Sequence, residues 1–339
     1  MKQPAREVFQ RIIYSIRKLG RIQKHIKKAR SARKDLIVQA EVARKLDGYV
    51  LDFLNGKIEK IVSVARKPEL VGKKIIWQFW QQGIDEKTPK LVRVCLDSVR
   101  KHRNGYEIIL LSKETLHEYI DELPDFIWNK FGTGGFYFPK IANLVRLQLL
   151  SAYGGVWLDS TIYLTKPLEN AWLEKDFFAL QRSNIPPKDA EILTRFDPIG
   201  LTWDEASYVR MQNSFMIAKP HHKIIDDLLS IHFEYWKKET QINHYFFFQI
   251  MFNRMMQHEE WSRLNCEAVC YADFHRFLVA GFDRFDRKLY EEVVARWGVH
   301  KLTLYWARRW EQKRIYAGSF AEFFINGGHL ELPINQNSK

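Results

Sequence analysis

Two oxygen-bearing side chains that follow a short apolar run are the residues in this sequence best suited to chemistry. Asp159 comes directly after Val-Trp-Leu, and Thr161 follows it by two positions. Side chains two apart on an extended chain project to the same side, so both can point at one place. Hard oxygen ligands suit Mg²⁺ or Mn²⁺, and such an ion stabilises the charge that develops on a departing diphosphate. Taken alone, the pattern is more often a loop start with local side-chain caps.

The elements around this pair predict how Asp159 is positioned. Residues 139–153 have the apolar periodicity of a helix, and Gly154 and Gly155 are typical of the left-handed residues that end one. Residues 156–158 then predict a short buried strand with Asp159 at its carboxyl end. Ligands of open α/β sheets bind beyond the carboxyl ends of the strands, so we expect a ligand site there.

Upstream of that helix, strand-like and helix-like segments alternate. Residues 74–79 and 106–111 are apolar runs that predict buried strands, and residues 89–103 predict a helix with proline in its first turn. Ser112 is suited to cap a second helix. Strand, helix, strand and helix in succession predict parallel pairing and an α/β layered domain.

Residues 142–168 resemble the capsular polysaccharide synthesis proteins and the sugar-binding region of glycosyltransferase family 32, which contains a DxD motif. The shared pattern is a helix with Asp-x-x-Arg, then Tyr-Gly-Gly, then a strand that ends in Asp-x-Asp or Asp-x-Thr, then Lys-Pro-Leu. Residues 75–83, 212–222 and 235–239 are similar to the same family. The resemblance therefore covers residues 73 to about 260.

This sequence departs from the family 32 pattern at two positions. Asn143 stands where that family usually has Asp, and Thr161 stands where it has the second Asp of the motif. A neutral hydroxyl holds a divalent ion less well than a carboxylate does, so the change at Thr161 bears on metal affinity. Asp-x-Thr is, however, common in the capsular branch.

The resemblance implies a GT-A fold, which is a Rossmann-like α/β domain that uses nucleotide-diphospho-sugars, with a mostly helical C-terminal part. It implies transfer of a hexosyl unit from a UDP- or GDP-sugar to an oligosaccharide or lipid-linked acceptor in capsular or lipopolysaccharide-type synthesis. Dependence on Mn²⁺ or Mg²⁺ and retention of configuration follow from the same resemblance. Retention by a front-face route needs no strong protein base, because the departing phosphate can take the acceptor proton.

The site expected from the resemblance has three groups of residues. Asp159 would contact the metal or the donor ribose, and Arg146 would reach the donor from the preceding helix. Asp159 is an expected catalytic residue, and Asp273 is added because it is the first choice among Asp204, Glu205 and Asp273 if an acid acts as base. The expected donor-binding residues are Gln78, Phe79, Trp80, Asn143, Arg146 and Asp159. The expected metal ligands are Asp159, Thr161 and His329.

Two other interpretations of the same residues stay open. The apolar strand that ends in Asp159 also fits the aspartyl-phosphate phosphatases, in which that Asp is the nucleophile. Thr161 stands where those enzymes carry a second Asp, and Asp226 and Asp227 lie in a helical pattern instead of at a strand end. The other interpretation is a basic membrane- or RNA-binding protein without enzymatic activity.

The positive charge of the chain is concentrated at its beginning. The formal net charge is +13, and residues 1–34 contain twelve Lys or Arg against the single acid Glu7. The remainder is nearly neutral, which makes nucleic acid an unlikely partner for the main domain. Apolar residues recur at helical spacing within this arm, so it can lie on an anionic membrane or pack on the protein body, and we weigh the two equally.

The predicted organisation is a basic amphipathic helical extension over residues 1–70 and a GT-A domain over residues 71–339. The nucleotide-binding half would cover about 73–168, and the acceptor side with the C-terminal part about 169–339. Helical periodicity in the extension is expected to break near Gly48 and near Gly56. An absent signal peptide, no segment apolar enough to span a bilayer and an odd number of cysteines predict a cytoplasmic protein, peripheral on the inner face of the membrane.

Overall fold

The computed structural model of the protein describes the backbone of residues 3–328 and the side chains of residues 28–328. Within that part the strands are β1 Ile75–Phe79, β2 Glu107–Leu111, β3 Gly155–Leu158, β4 Ile162–Leu164, β5 Phe177–Gln181, β6 Met211–Ala218 and β7 Val299–Lys301. The helices are α1 Gln3–Leu54, α2 Lys90–Lys101, α3 Asp125–Lys130, α4 Phe138–Tyr153, α5 Asn170–Leu173, α6 Ala190–Phe196, α7 Lys223–Lys238, α8 Phe247–Met255, α9 Glu259–Ser262, α10 Arg276–Val279, α11 Arg287–Arg296, α12 Leu304–Glu311 and α13 Phe320–Ile325.

The central sheet has five strands in the order β2-β1-β3-β6-β5. β1 pairs in parallel with β2 and with β3, whereas β6 is antiparallel to both β3 and β5. Four strands therefore run one way and only β6 is reversed. The predicted α/β class and the parallel pairing of the first strands are confirmed, and the mixed sheet with its helices fits the GT-A-like fold that the resemblance implies.

The helix and strand that carry the predicted site lie at the centre of the molecule. α4 is buried along most of its length, including Leu144, Arg146 and Leu150, and it packs against α7 and β3. β3 lies between β1 and β6, and Val156, Trp157 and Leu158 are all at most 1% exposed. A strand that is buried on both faces has a continuous run of apolar residues, and this run is the signal that predicts β3 from the sequence.

The two glycines between α4 and β3 fit a close crossing of backbones. Gly154 has φ +68 and Gly155 has φ +94, so both lie in the region that disfavours L side chains. A Cβ added at Gly155 would lie 2.7 Å from the Ile75 carbonyl oxygen of β1, and one at Gly154 would lie 2.7 Å from Pro220. The helix therefore ends here, as predicted, and β3 can pair closely with β1.

A second, two-stranded sheet joins the C-terminal layer to the first half of the chain. β4 pairs antiparallel with β7, with Ile162 opposite Lys301 and Leu164 opposite Val299. The Leu302 amide donates to the Thr161 carbonyl at 3.0 Å and extends this pairing. From residue 247 to residue 325 the structure is mostly helical, as the resemblance implies.

Two local predictions were wrong. The segment after Ser112 forms one 3-10 turn over Leu116–Glu118 instead of an α-helix. The hydroxyl oxygens of Ser112 and Thr115 each accept a hydrogen bond from the backbone amide of the other residue, and this pair of bonds closes the turn. Further along, Pro124 disfavours helical backbone in the residue before it. The predicted break at Gly48 is absent, because α1 continues to residue 54 and the burial of its neighbours outweighs the poor helix propensity of glycine.

The second half of α1 belongs to the main core. Leu46 and Val50 are fully buried where α1 packs against α7 and α8. Arg254 Nε donates to Asp47 Oδ1 at 2.6 Å, and the Tyr208 amide donates to Gln39 Oε1 at 2.9 Å. The boundary at residue 70 stays a prediction, but this part of the extension shares its hydrophobic contacts with the sheet domain.

Most of the predicted apolar face of residues 1–34 falls on side chains outside the described residues. At the described end of that arm, Lys28 Nζ donates to the Arg195 carbonyl of α6 at 2.7 Å. Among the residues that the structure describes, no helix combines the length and apolarity needed to cross a bilayer.

Replacing Gly155 by Ala should destabilise the protein more than replacing Gly132. Both glycines have positive φ, so each substitution costs about 1 kcal/mol of backbone strain, but only the Cβ at residue 155 meets a backbone oxygen. We expect about 1–3 kcal/mol of additional loss for Gly155→Ala, measured by urea denaturation. Equal losses for the two variants would contradict the close crossing.

Truncation of Leu46 tests whether α1 is part of the folded core. Leu46→Ala should lower the free energy of unfolding by about 2–5 kcal/mol, because the side chain is fully buried. Ile37→Ala, on the same helix but 59% exposed, is the control and should change it by less than about 0.5 kcal/mol. The midpoint of a single urea transition, measured by tryptophan fluorescence, should shift for Leu46→Ala and stay in place for Ile37→Ala. Small and equal shifts for the two variants would mean that α1 is an independent extension.

Candidate functional site

Asp159 leaves the sheet at the carboxyl end of β3. Its backbone amide donates to the Ser214 carbonyl of β6 at 2.9 Å, and its own carbonyl accepts from the Ile162 amide at 2.9 Å. The chain therefore turns sharply after β3 and enters β4. The carboxylate remains 26% exposed at the sheet edge, where sequence reasoning expected a ligand site.

Arg146 of α4 holds one oxygen of this carboxylate. Its Nη2 donates to Asp159 Oδ1 at 2.8 Å, and Trp157 Nε1 donates to the same oxygen at 2.9 Å. The Arg146 side chain is only 4% exposed, and its guanidinium carbon lies 4.9 Å from the centre of the Trp157 ring. An arginine buried in this way depends on its carboxylate partner for charge compensation.

Lys301 of β7 holds the other oxygen. Its Nζ donates to Asp159 Oδ2 at 3.0 Å and to Thr161 Oγ1 at 2.7 Å. The pairing of Lys301 with Ile162 across β4 and β7 brings this ammonium to the site from 142 residues further along the chain. Sequence reasoning missed Lys301, because no motif or spacing connects it with Asp159.

An amide chain lies behind the arginine. Asn143 Oδ1 accepts from Arg146 Nη1 at 2.7 Å and from Asn213 Nδ2 at 3.0 Å. Gln249 Nε2 of α8 in turn donates to Asn213 Oδ1 at 3.1 Å. Asn143, which is predicted to bind the donor, thus orients Arg146. Because the Asn143 side chain is neutral, Asp159 is the one anionic partner of Arg146 in these contacts.

The electrostatics keep Asp159 ionised. Burial alone would raise the pKa of this carboxyl, but the charges of Lys301 and Arg146, with the Trp157 hydrogen bond, outweigh it and hold the pKa below its ordinary value. Burial lowers the pKa of Arg146, and the charge of Asp159 opposes that change. A carboxylate with three donors on its two oxygens is a weak base and a weak nucleophile.

A cavity of about 450 Å³ lies over this cluster. Its lining includes Arg146, Asp159, Thr161 and Lys301, and also the aromatic side chains of Phe79, Trp80, Phe138, Trp157 and Tyr245. A larger and more apolar groove of about 1080 Å³ lies between α1 and α6, but its lining contains no member of the charged cluster. The smaller cavity is therefore the candidate active site.

The structure brings some of the predicted site residues together and separates others. Phe79, Trp80, Arg146, Asp159 and Thr161 line the cavity. Gln78 is 1% exposed within β1 and is not part of the lining. Their functional roles stay predictions.

The structure does not place Asp273 or His329 at the cavity. Asp273 lies outside the cavity lining, in a 3-10 turn, where its carboxylate accepts from Arg296 Nη2 at 3.0 Å and from Arg296 Nε at 3.1 Å. His329 lies outside the described residues. The acid pair that a phosphatase would need is also absent from the site: Asp226 and Asp227 lie within α7, and Asp227 is held by Lys223 at 2.8 Å.

Fold and site together define an α/β protein with a cationic cleft at the carboxyl edge of its sheet. The family model of the capsular polysaccharide synthesis proteins matches residues 22–319. The chain belongs to that family. The match begins within α1, well before residue 73, where the resemblance described above begins.

Similarity to individual proteins is more limited. The chain is 30% identical over 101 residues to "Glycosyltransferase afumC" of Aspergillus fumigatus, which covers 28% of this chain and 26% of the relative. It is 25% identical over 176 residues to "O-glycosyltransferase braB" of Annulohypoxylon truncatum, with 50% and 39% covered. The chain thus spans well under half the length of these relatives. A solved glycosyltransferase involved in glycosylation of the major capsid of PBCV-1 matches with a TM-score of 0.35 and 13% identity, over 76% of this chain and 100% of that one.

The ion cluster should make stability depend on pH through Asp159. Because its pKa is lower in the folded than in the unfolded protein, the stabilisation is present above the unfolded value of about 3.9 and is lost as pH falls through the folded value. Asp159→Asn should therefore be less stable than wild type at pH 7 in urea denaturation. The difference in free energy of unfolding between wild type and Asp159→Asn should become smaller as the pH is lowered below about 4. A difference in free energy of unfolding that does not change with pH would contradict the ion-pair assignment.

Proposed function

We propose that the protein is a glycosyltransferase that moves a hexosyl unit from a UDP- or GDP-sugar to a saccharide acceptor. The observation that carries this proposal is the pair of cations, Arg146 and Lys301, on either side of Asp159 in an aromatic-lined cavity. Two positive charges against one carboxylate leave a net +1. Such a site favours a diphosphate, whose negative charge increases when the sugar departs.

The aromatic lining is suited to the uncharged parts of a nucleotide sugar. Tyr245 is 66% exposed. Lys140 contacts it twice: its Nζ lies 3.9 Å from the centre of the Tyr245 ring and donates a hydrogen bond to the Tyr245 carbonyl. Phe79 and Trp80 lie at the carboxyl end of β1. We propose that these rings stack on the nucleobase or the hexose, since both present flat or apolar faces.

The acceptor would approach from the connection between β5 and β6. β5 runs in the same direction as β3, so residues 182–210 start at the sheet edge that carries Asp159. Arg182 fixes this connection, because its Nη1 donates to the carbonyls of Thr202 at 2.7 Å and Asp204 at 3.0 Å. A loop that is held in place and begins at this edge of the sheet is suited to bind an oligosaccharide or the sugar part of a lipid-linked acceptor.

Retention of configuration is part of the proposal. Within the described lining of the cavity, Asp159 is the one carboxylate, and its oxygens are held by Arg146, Trp157 and Lys301. The donor bond between the anomeric carbon and the diphosphate breaks, a bond to the acceptor oxygen forms, and the hydroxyl proton passes to the departing phosphate. That route needs no further base.

Without His329, which lies outside the described residues, the side chains at this place do not fit the divalent-metal site expected from the resemblance. The described chain has no cluster of three or more His, Cys, Asp or Glu side chains suited to a metal ion. At the expected place a single carboxylate and the Thr161 hydroxyl both accept hydrogen bonds from Lys301. The assignment of Mn²⁺ or Mg²⁺ to Asp159, Thr161 and His329 stays a prediction, and no step above passes through an ion.

The proposed process is the synthesis of a capsular or lipopolysaccharide-type surface polysaccharide, which the family membership supports. We propose a cytoplasmic protein, because its three cysteines, Cys95, Cys266 and Cys270, are free thiols. Peripheral contact with an anionic inner membrane face through residues 1–34 is proposed from the positive charge of that arm.

A screen of UDP- and GDP-sugars for hydrolysis and for protection against melting tests the enzymatic proposal. Wild type should hydrolyse at least one donor, and Arg146→Ala should lower that turnover by about 100-fold or more, because it removes a charge that stabilises the leaving group. Arg263→Ala is the control, since Arg263 lies exposed directly after α9 with Glu259 as partner. Absence of hydrolysis and binding for every donor would refute the proposed function.

The same assay tests Asp273. Asp273→Asn should keep donor turnover within about twofold of wild type, because the residue is salt-bridged to Arg296 outside the cavity. Melting temperature serves as the control for folding. A loss of turnover near 100-fold with an unchanged melting temperature would instead support the predicted catalytic role.

A further inference from the structure

Lys301 takes the position at which two neighbouring oxygens converge. Asp159 and Thr161 are two residues apart, and both side chains reach the same ammonium, at 3.0 Å and 2.7 Å. These are ordinary hydrogen-bond lengths for an ammonium. A Mg²⁺ ion bound by the same two oxygens would need distances of about 2.0–2.1 Å. The ion and the ammonium therefore compete for one place.

The fold holds Lys301 at this place. β7 is paired with β4 in a register that sets Lys301 opposite Ile162, and the Leu302 amide donates to the Thr161 carbonyl at 3.0 Å. The preceding residue, His300, is fully buried, with Nε2 3.0 Å from Thr165 Oγ1. Anchors on both sides of Lys301 hold its backbone, so the strand pairing sets the point from which its side chain reaches the site.

The ammonium is available to a ligand. An ammonium has three donor hydrogens, and Asp159 and Thr161 take two of them. Lys301 is 22% exposed and lines the cavity, so the third hydrogen can meet an anion there. Arg146 lines the same cavity from the other side of the carboxylate.

The charges agree with this geometry. A site of two carboxylates needs a divalent ion before it can accept a diphosphate, because it is otherwise negative. Here Thr161 replaces one carboxylate with a neutral hydroxyl, and Lys301 adds a positive charge. The cluster is thus already cationic with the side chains of this chain alone.

We propose that the Lys301 ammonium performs the task of the divalent ion in this site, with Thr161 serving to orient the lysine. This inference rests on the proposed function and identifies the group that stabilises its leaving group. When the donor bond at the anomeric carbon breaks, its electron pair goes to the diphosphate oxygen, and Lys301 and Arg146 stabilise the resulting charge by hydrogen bonds.

Calorimetric titration of the full-length protein with UDP and with GDP, in EDTA and in Mn²⁺, tests this role without relying on turnover. Wild type should bind one of the two nucleotides in EDTA with an affinity within about threefold of that in Mn²⁺. Lys301→Met should lower this affinity by about 10-fold or more and should lower donor hydrolysis by about 100-fold. Mn²⁺ should not rescue the variant even though the place is then free, because one carboxylate and one neutral hydroxyl hold a divalent ion poorly. Lys301→Arg should recover part of the binding, because it restores the charge.

Control variants separate charge from folding. Lys288→Met removes an exposed lysine of α11, which is 85% exposed and paired with Glu292, and it should bind like wild type. Thr161→Val should weaken nucleotide binding less than Lys301→Met does, since it removes only the orienting hydroxyl. Melting curves identify any variant that fails to fold, in which case the Lys301→Gln substitution replaces Lys301→Met.

The outcomes distinguish the inference from the proposed function. Wild type that binds nucleotide only with Mn²⁺, or a folded Lys301→Met that binds as well as wild type in EDTA, would overturn the role of Lys301 and leave the glycosyltransferase proposal standing. Wild type that binds neither nucleotide and hydrolyses no donor in either condition would overturn both.

Discussion

The salt-bridged carboxylate of Asp159 is the interaction on which the site and much of the fold depend. Its two oxygens are held by Arg146 from α4 and by Lys301 from β7, and the buried arginine needs this partner. The helix, the glycine pair and the strand between Arg146 and Asp159 set the first contact. The C-terminal strand sets the second, so the two halves of the chain meet at one side chain.

The same contact ties together the two parts of the chain that the sequence predicts as a nucleotide-binding half, about residues 73–168, and an acceptor side with the C-terminal part. β4 lies in the first half and β7 in the second, yet they form one sheet and together present Thr161 and Lys301 to the cavity. The N-terminal helix is joined to the same body, since Leu46 and Val50 lie in the core that also contains α7 and α8. Binding groups are thus held on packed strands and helices, which limits the reorganisation needed when a charged ligand enters.

Hydrophobic pattern and glycine position were sufficient to predict the local elements of the site. The run from α4 through Gly154 and Gly155 to β3 was predicted almost to the residue, because a buried helix, a left-handed stop and a buried strand each leave a periodic or compositional signal. The turn after Ser112 and the continuous α1 were mispredicted. At Ser112 the hydrogen bonds with Thr115 close the turn locally, whereas beside Gly48 the burial of Leu46 and Val50 outweighs the poor helix propensity of glycine.

By itself, the sequence determined the α/β class, the parallel start of the sheet, the position of Asp159 at a strand end and the nearby Arg146. These depend on spacings of a few residues, and the geometry of helices and strands converts such spacings into positions. Only the tertiary structure decided that Lys301 reaches Asp159 and Thr161, and that Asp273 pairs with Arg296 away from the cavity. The reason is that a contact across 142 residues depends on the register of β4 with β7, and no local pattern encodes that register.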